Sequence, residues 1–444
     1  MKPFMSEAGA HGSQTVGKAS HGYAIFAVLY TLLIVYCAIV PFHFVPLDPS
    51  VAWQRLMAMP YVEHGSDQRA DWMGNLLMLM PLGYALAVAL ATEERGRLLG
   101  GILALLLCVL VILAIKYLQL FFPPRTVSIN YVVAQMAGAA LGIAAQFALQ
   151  RPLARIAATA GAGGRDALVA LLWIYAAGLT GFILLPFDFV LSHDDLARRL
   201  AALPGLFFSL PGARLGPFRQ TLLLTAFVLE TMPIGVLWTL LNPEGRYAAV
   251  VFAVICAAAA SFAAVFVMGA QPTAVGTVLR AVGIVVGAIA AQKAARRPLG
   301  WYVALIDRAV PWLAIAYLII LVPANSIRLG NADAPAILFY DMDPRIWIPL
   351  YLWYNSGKGT VAFAIAAHAL LYLPLGLFMW RRPLIAALAA VIVSAIMEFG
   401  RLWTGLQPDP NNLLVAAIAA GGASRLGPIV WGWLTDRAAS TQRT

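Results

Sequence analysis

Charge is scarce in this sequence. Asp, Glu, Lys and Arg make up 11% of its 444 residues against 61% hydrophobic residues. With a mean hydropathy of +0.81, this excludes a soluble globule, in which about a quarter of residues are charged. Cysteine is scarcer still. Cys37, Cys108 and Cys256 are odd in number, widely spaced and each inside an apolar run. They form neither a disulfide framework nor a metal site, and read as small buried hydrophobes. Also missing are a Walker sequence, a glycine-rich dinucleotide turn, a His-Glu-x-x-His pair and a nucleophile elbow. ATP-driven transport and the common hydrolase mechanisms therefore lose their usual sequence support. No cofactor is expected.

What is present is a series of apolar runs of about 20 residues, the length of a helix crossing a hydrocarbon core of roughly 30 Å. Apolar runs and their breakers give about twelve spans, near 23–44, 72–91, 98–120, 130–149, 167–187, 219–241, 247–268, 274–293, 309–324, 359–380, 383–403 and 411–427. The expectation is an all-α, polytopic integral membrane protein with no soluble domain between the spans. The net charge of +10 does not indicate nucleic acid. Its basic residues fall in short clusters such as Arg95/Arg97, Arg151/Arg155 and Arg381/Arg382, the positive-inside pattern. They gather on the side of the N-terminus, which places both termini in the cytoplasm and the protein in the inner membrane. The run from Tyr23 ends in VPFHF, with no small-residue cleavage site, so it reads as a retained helix.

The spans fall into three groups of four. The first helix of each ends in a related phrase, VPFHF at Val40–Phe44, LPFDF at Leu185–Phe189 and VPANS at Val322–Ser326. The second helix carries Pro81-Leu82-Gly83, Pro233-Ile234-Gly235 or Pro374-Leu375-Gly376. Six residues before each proline stand Asn75, Phe227 and His368. The third helix places Lys116, Ser261 and Glu398 at matching positions, and the fourth carries Gly138/Gly142 and Gly283/Gly287 in the first two groups, a small-residue face for close packing. This predicts three tandem four-helix units, 23–150, 166–294 and 308–428, between a disordered cytoplasmic tail at 1–22 and a second tail at 429–444. Three outer loops, near 46–70, 188–217 and 325–358, are expected to hold short interfacial helices. In the middle one Ser192 and Asp195 begin a capping box, and Leu196, Leu200 and Leu203 line one face.

Polar residues at membrane depth are costly, so each marks a candidate site. Glu398, Arg401, Asp409, Asn411 and Asn412 cluster at the end of one helix and in the turn after it, with His368 able to face them from the second helix of that group. In the first group Lys116, Gln119, Arg125, Ser128 and Asn130 hold similar places, joined by Asp71 and Asn75. Lys116 reads as snorkelling to the outer interface, and Glu230 as pairing with Arg280. His43 and His368 are isolated, and no metal site is expected.

The first group, with DWMGNLLMLMPLG at Asp71–Gly83 and KYLQLFFPPRTVSINYVVAQMAGAALG at Lys116–Gly142, resembles the VanZ-like family. The family pattern is N-x-x-L-F-x-P-L-G, then E-x-x-Q, a P-x-R turn, an Asp, an Asn and a glycine. Asn75, Pro81, Gly83, Gln119, Arg125 and Gly138 match it. Lys116 stands where the family has Glu, Tyr131 where it has Asp and Gln135 where it has Asn. In the third group Glu398 matches the family Glu, Arg401 replaces its Gln, and Asn412 falls near the Asp position. The middle group keeps only PIG and the glycines, so its site is expected to be lost. The resemblance implies a bacterial envelope setting and, by the family's name, a link to glycopeptide-antibiotic tolerance.

The ligand-binding residues expected are Asn75, Gln119, Arg125, His368, Glu398, Arg401, Asp409 and Asn412, with no catalytic residue assigned. Partners are membrane lipids and a lipid-linked glycan, lipopeptide or glycopeptide at the outer leaflet. A secondary transporter or flippase, motivated by internal repeats and intramembrane charge, and an intramembrane enzyme using a carboxylate remain as alternatives. For Glu398 with Arg401 the alternative to a binding role is a buried pair that fixes helix packing.

Overall fold

The computed structural model describes residues 6–61, 66–91, 96–123, 127–162, 164–185, 187–190, 192–213, 216–243, 246–296, 299–325, 342–353 and 358–441. The chain packs as two compact units, Met1–Arg155 with Trp353–Gly359, and Ile156–Leu352 with Thr360–Thr444. It is all-helical, and ten of its described helices are long and apolar enough to cross a membrane. Two shorter apolar helices, Arg308–Ala324 and Ala364–Phe378, occupy the remaining expected span positions. The protein is therefore a polytopic α-helical membrane protein.

In the first unit α1 (Ser6–Ile39), α3 (Ser66–Leu90), α4 (Gly96–Gln119) and α5 (Ile129–Ala162) are the long helices, and α2 (Pro49–Met57) is a short one between α1 and α3. Helix α1 begins well before its apolar span, Ser20–Ile39, so the polar segment from Ser6 is helical where the sequence suggests disorder. Once a span is nucleated, each added residue costs little. The four long helices share a core that includes Ile34, Leu79, Leu82, Cys108, Ile112 and Ala139.

The second unit contains two four-helix groups. In the first of these, α6 (Gly164–Ile183) is followed by the short α7 (His193–Phe207). Then come α8 (Pro217–Leu229) and α9 (Met232–Leu241), and finally α10 (Arg246–Val265) and α11 (Ala274–Ala295). The expected span 219–241 is present as Gln220–Leu241, with its helix interrupted between α8 and α9, where Pro233 supplies no N–H to the preceding turn. The other group holds α12 (Leu299–Ala324), α13 (Lys358–Phe378), α14 (Pro383–Gly400) and α15 (Asn411–Thr441) around Leu321, Tyr372, Leu375, Ala390 and Ala420. Helix α15 runs through the expected tail and also packs on α6 and α9.

Glycine sets how closely the second and fourth helices of each group approach. A Cβ on Gly138 would lie 1.9 Å from Leu76 O, one on Gly142 2.0 Å from Met80 O and one on Gly83 2.3 Å from Ala139 O. In the next group the same spacing recurs, with Gly283 on Val228 O, Gly287 on Met232 O and Gly235 on Ile284 O. Gly376 meets Ala420 O at 2.0 Å in the last group, where Ala419 and Ala423 replace the other two glycines. Other contacts recur as well. Val45 N bonds Phe121 O at 2.8 Å and Val190 N bonds Phe266 O at 2.9 Å.

Each second helix also carries a proline, which withdraws a donor from the turn before it. A tyrosine of the first helix bonds a carbonyl in that turn: Tyr30 to Met78 O at 3.0 Å, Tyr175 to Glu230 O at 2.7 Å and Tyr317 to Leu371 O at 3.0 Å. These tyrosines look like ordinary core aromatics in the sequence.

Among the described residues, two of the long loops are helical. Helix α2 is capped by Asp48, and α7 by Ser192, which accepts from Asp195 N at 3.1 Å. On α7 Asp195 and Arg199 are buried against the protein, and Leu200 of the expected leucine face is exposed. Arg199 donates to the carbonyls of Ala264, Val265, Met268 and Ala270 at and beyond the C-terminal end of α10. There it satisfies carbonyls that the helix leaves open and complements its dipole. Arg199→Ala is expected to cost about 2 kcal/mol of local stability. Amide exchange in α7 would then accelerate about 30-fold, with the core of α10 unchanged. Among its described residues, 342–353, the third loop forms a 3-10 turn, Pro344–Trp347. Leu350 at φ 67° ends this stretch.

Candidate functional site

Glu398 sits two residues before the end of α14 and is 1% exposed. The chain then turns through Arg401–Thr404 in a 3-10 turn that closes at Gly405, φ 70°. Pro408 and Pro410 follow, and α15 starts at Asn411. This reversal brings the polar residues of EFGRLWTGLQPDPNN onto one carboxylate. Glu398 Oε2 accepts from Arg401 Nη1 at 2.7 Å and from Asp409 N at 2.9 Å, and Oε1 accepts from Asn412 Nδ2 at 2.8 Å. Asp409 Oδ1 accepts from Asn411 N at 3.0 Å and from Asn411 Nδ2 at 2.7 Å, the local bonding that Asp favours before a helix. All five residues expected to cluster here, Glu398, Arg401, Asp409, Asn411 and Asn412, come together.

The long loop of this group is tied to the same site. Asn411 Oδ1 accepts from Leu350 N at 2.7 Å, and the Trp347 and Phe399 rings lie 6.3 Å apart. Asp343 at the start of the loop accepts from Arg345 N, Arg345 Nε and Tyr351 Oη. The hydrogen bonds from Arg345 hold its carboxyl below the usual range, at about 2.

His368 of α13 is buried and lies within electrostatic reach of Asp409 and Arg401. Its ring is 4.8 Å from that of Tyr372, one turn further along the same face. Tyr372 and Ser394 are both fully buried and adjoin Glu398, Ser394 being one helical turn before it. Neither was singled out in the sequence, although the four-residue spacings from His368 and Glu398 place them on the same faces.

The first group holds a second, chemically different set. Asn75 is 2% exposed, donates to Asp71 O at 2.8 Å and accepts from Gln135 Nε2 at 2.9 Å. Gln119 accepts from Lys116 Nζ at 3.1 Å and donates to Ala38 O at 3.4 Å. Lys116 does not snorkel. It is 2% exposed, with its ammonium 5.8 Å from the centre of the Tyr131 ring, because Gln119 and Tyr131 supply partners within the bundle. The contacts Lys116–Gln119 and Lys116–Tyr131 use the positions of Glu398–Arg401 and Glu398–Asn412. Arg125 lies outside the described residues.

In the middle group the matching third-helix residue, Ser261, bonds the Thr277 hydroxyl. Glu230 and Arg280 form the expected pair, Nε to Oε1 at 2.8 Å, with the guanidinium 4.6 Å from the Phe227 ring centre. Among the described residues, no three His, Cys, Asp or Glu are placed to hold a metal ion.

Fold and buried polar groups thus define a multi-pass helical membrane protein with polar clusters inside its helix groups. Residues 12–150 match the model of the VanZ/LLP1 family. Over that segment the chain is similar to the VanZ/LLP1 family. No curated protein and no solved structure matches it.

Proposed function

We propose that this protein binds the polar headgroup of an envelope lipid, lipid-linked glycan or lipopeptide at the outer leaflet of the bacterial inner membrane, with both termini in the cytoplasm. The reading rests on the state of Glu398, whose carboxylate is buried and occupied by three donors. A general acid or base must exchange a proton with a substrate it can reach, and Glu398 instead fixes the turn and orients Arg401. The Arg401 side chain is 24% exposed and stands just beyond the C-terminal end of α14. A guanidinium there suits a phosphate or carboxylate.

The recurring glycine, tyrosine and loop contacts support three tandem copies of one four-helix unit. Their polar positions have diverged to Lys116/Gln119/Tyr131, Ser261/Thr277 and Glu398/Arg401/Asn412. Unlike half-sites on one scaffold favour recognition over a shared catalytic step. Transport would require a polar path through the bundle, and the cavity of the middle group is walled mainly by alanine and leucine-type residues.

The test is a deletion strain complemented with wild-type protein, Arg401→Ala or Glu398→Gln. Envelope glycolipids are profiled, and the lipids that co-purify with each protein are identified by mass spectrometry. Arg401→Ala is expected to lose at least tenfold of the specifically retained lipid per folded protein, and because it also takes a partner from the buried Glu398 carboxylate it should lower thermal stability as well. Identical retained lipid and envelope profiles for both variants would remove the reading.

A further inference from the structure

The middle group carries a feature that its depleted polar site did not suggest. A partly open cavity of about 360 Å³ lies between α6, α9, α10 and α11, within the size range of ligand pockets. Ala257, Ala260 and Ala263 of α10 form one wall and Ala176 of α6 contributes to another, while Thr231 and Arg280 are also in the lining. Alanines spaced three apart lie along one side of a helix, so their small side chains leave a channel where larger residues would fill the space.

We propose that this cavity holds one acyl chain of a membrane phospholipid, with the ester carbonyl of that chain accepting from the Arg280 guanidinium. All four walls are membrane-spanning helices, so hydrocarbon is the solvent available to an alanine-lined space. The charge state of the polar end narrows the choice further. Arg280 is paired through Nε with Glu230 at 2.8 Å, and the pair is neutral together. An anionic headgroup placed there would meet Glu230 as well, whereas a neutral carbonyl takes a charge-assisted bond without that penalty. Arg280 is the seventh residue of α11, about 10 Å along the helix axis from its start. That depth matches the linkage between headgroup and acyl chain better than the headgroup itself.

The full-length protein in vesicles of phosphatidylcholine bearing a diazirine in one acyl chain tests this directly. After irradiation, adducts are expected to concentrate on residues 256–263 of α10 and 176–183 of α6. They should exceed by at least fivefold those on the exposed α12 residues Trp312 and Ile319. Ala260→Phe fills the cavity and is expected to remove the enrichment while retaining the thermal stability of the parent. Ala176→Leu gives the same readout from the opposite wall if the first variant does not insert. An ether-linked lipid of the same length, lacking the carbonyl, should lower the enrichment about threefold in wild type and leave Arg280→Gln unaffected. Adducts spread in proportion to exposed surface, or enrichment that survives both cavity-filling variants, would overturn the proposal.

Discussion

Glu398→Ala is expected to lower the stability of the second unit by about 3–5 kcal/mol, the usual cost of removing one member of a buried ion pair. The loss has three components at one place. Arg401 Nη1, Asp409 N and Asn412 Nδ2 all give up their acceptor, which leaves the turn that starts α15 with the Asp409–Asn411 and Asn411–Leu350 bonds. Glu398→Gln should cost much less, about 1–2 kcal/mol. Its carbonyl can retain Arg401 and Asp409 N, and the Asn412 amide can turn over to present oxygen to the new NH₂ group. Adding Arg401→Met to Glu398→Ala should restore part of the stability, since deleting both charges leaves neither stranded. Thermal unfolding of the three detergent-solubilised variants reads this order. If Glu398→Ala unfolds at the wild-type temperature, the carboxylate does not hold the turn.

This network also illustrates what the sequence could reveal. Glu398 and Arg401 are three residues apart on an apolar helix, and Asp409 and Asn412 follow a Pro-containing turn, so their meeting is a local consequence of chain geometry. The span positions were equally legible, because the length of an apolar run is set by the membrane and not by tertiary contacts. Pro81, Pro233 and Pro374 located the second helix of each group for a similar reason, since few residues alter a helix so strongly. Long-range partners were harder to see. Arg199 reads as one more charge on an amphipathic interfacial helix, and its role depends on carbonyls some 65 residues later. Lys116 looked close enough to a helix end to reach water, yet Tyr131 of α5 gives it a place inside. The cavity of the middle group is a property of missing volume, spread over four helices, and single alanines in an alanine-rich chain carry no signal of it.

Gly138→Val is expected to prevent the first unit from packing. A Cβ at this position would stand 1.9 Å from Leu76 O, far inside van der Waals contact, and the obstruction is backbone, so no rotamer change relieves it. Helices α3 and α5 would have to separate by more than 1 Å along a seam that also carries Gly142 against Met80 O and Gly83 against Ala139 O. Separation would break the Asn75–Gln135 bond at 2.9 Å beside it and open the alanine-rich core. Overpacking in a well-ordered core costs about 1–3 kcal/mol and often more when no side chain can yield. The lost amide bond leaves buried groups that add about 1–3 kcal/mol, a total comparable with the stability of a whole domain. Gly283→Val should behave alike in the middle group, where the obstruction is Val228 O and the Thr231 hydroxyl. Gly178→Val, with nothing within 4 Å of its Cβ position, is the control and should insert and purify normally. Gly138→Val recovered at wild-type yield and stability would mean that α3 and α5 do not approach through their glycines.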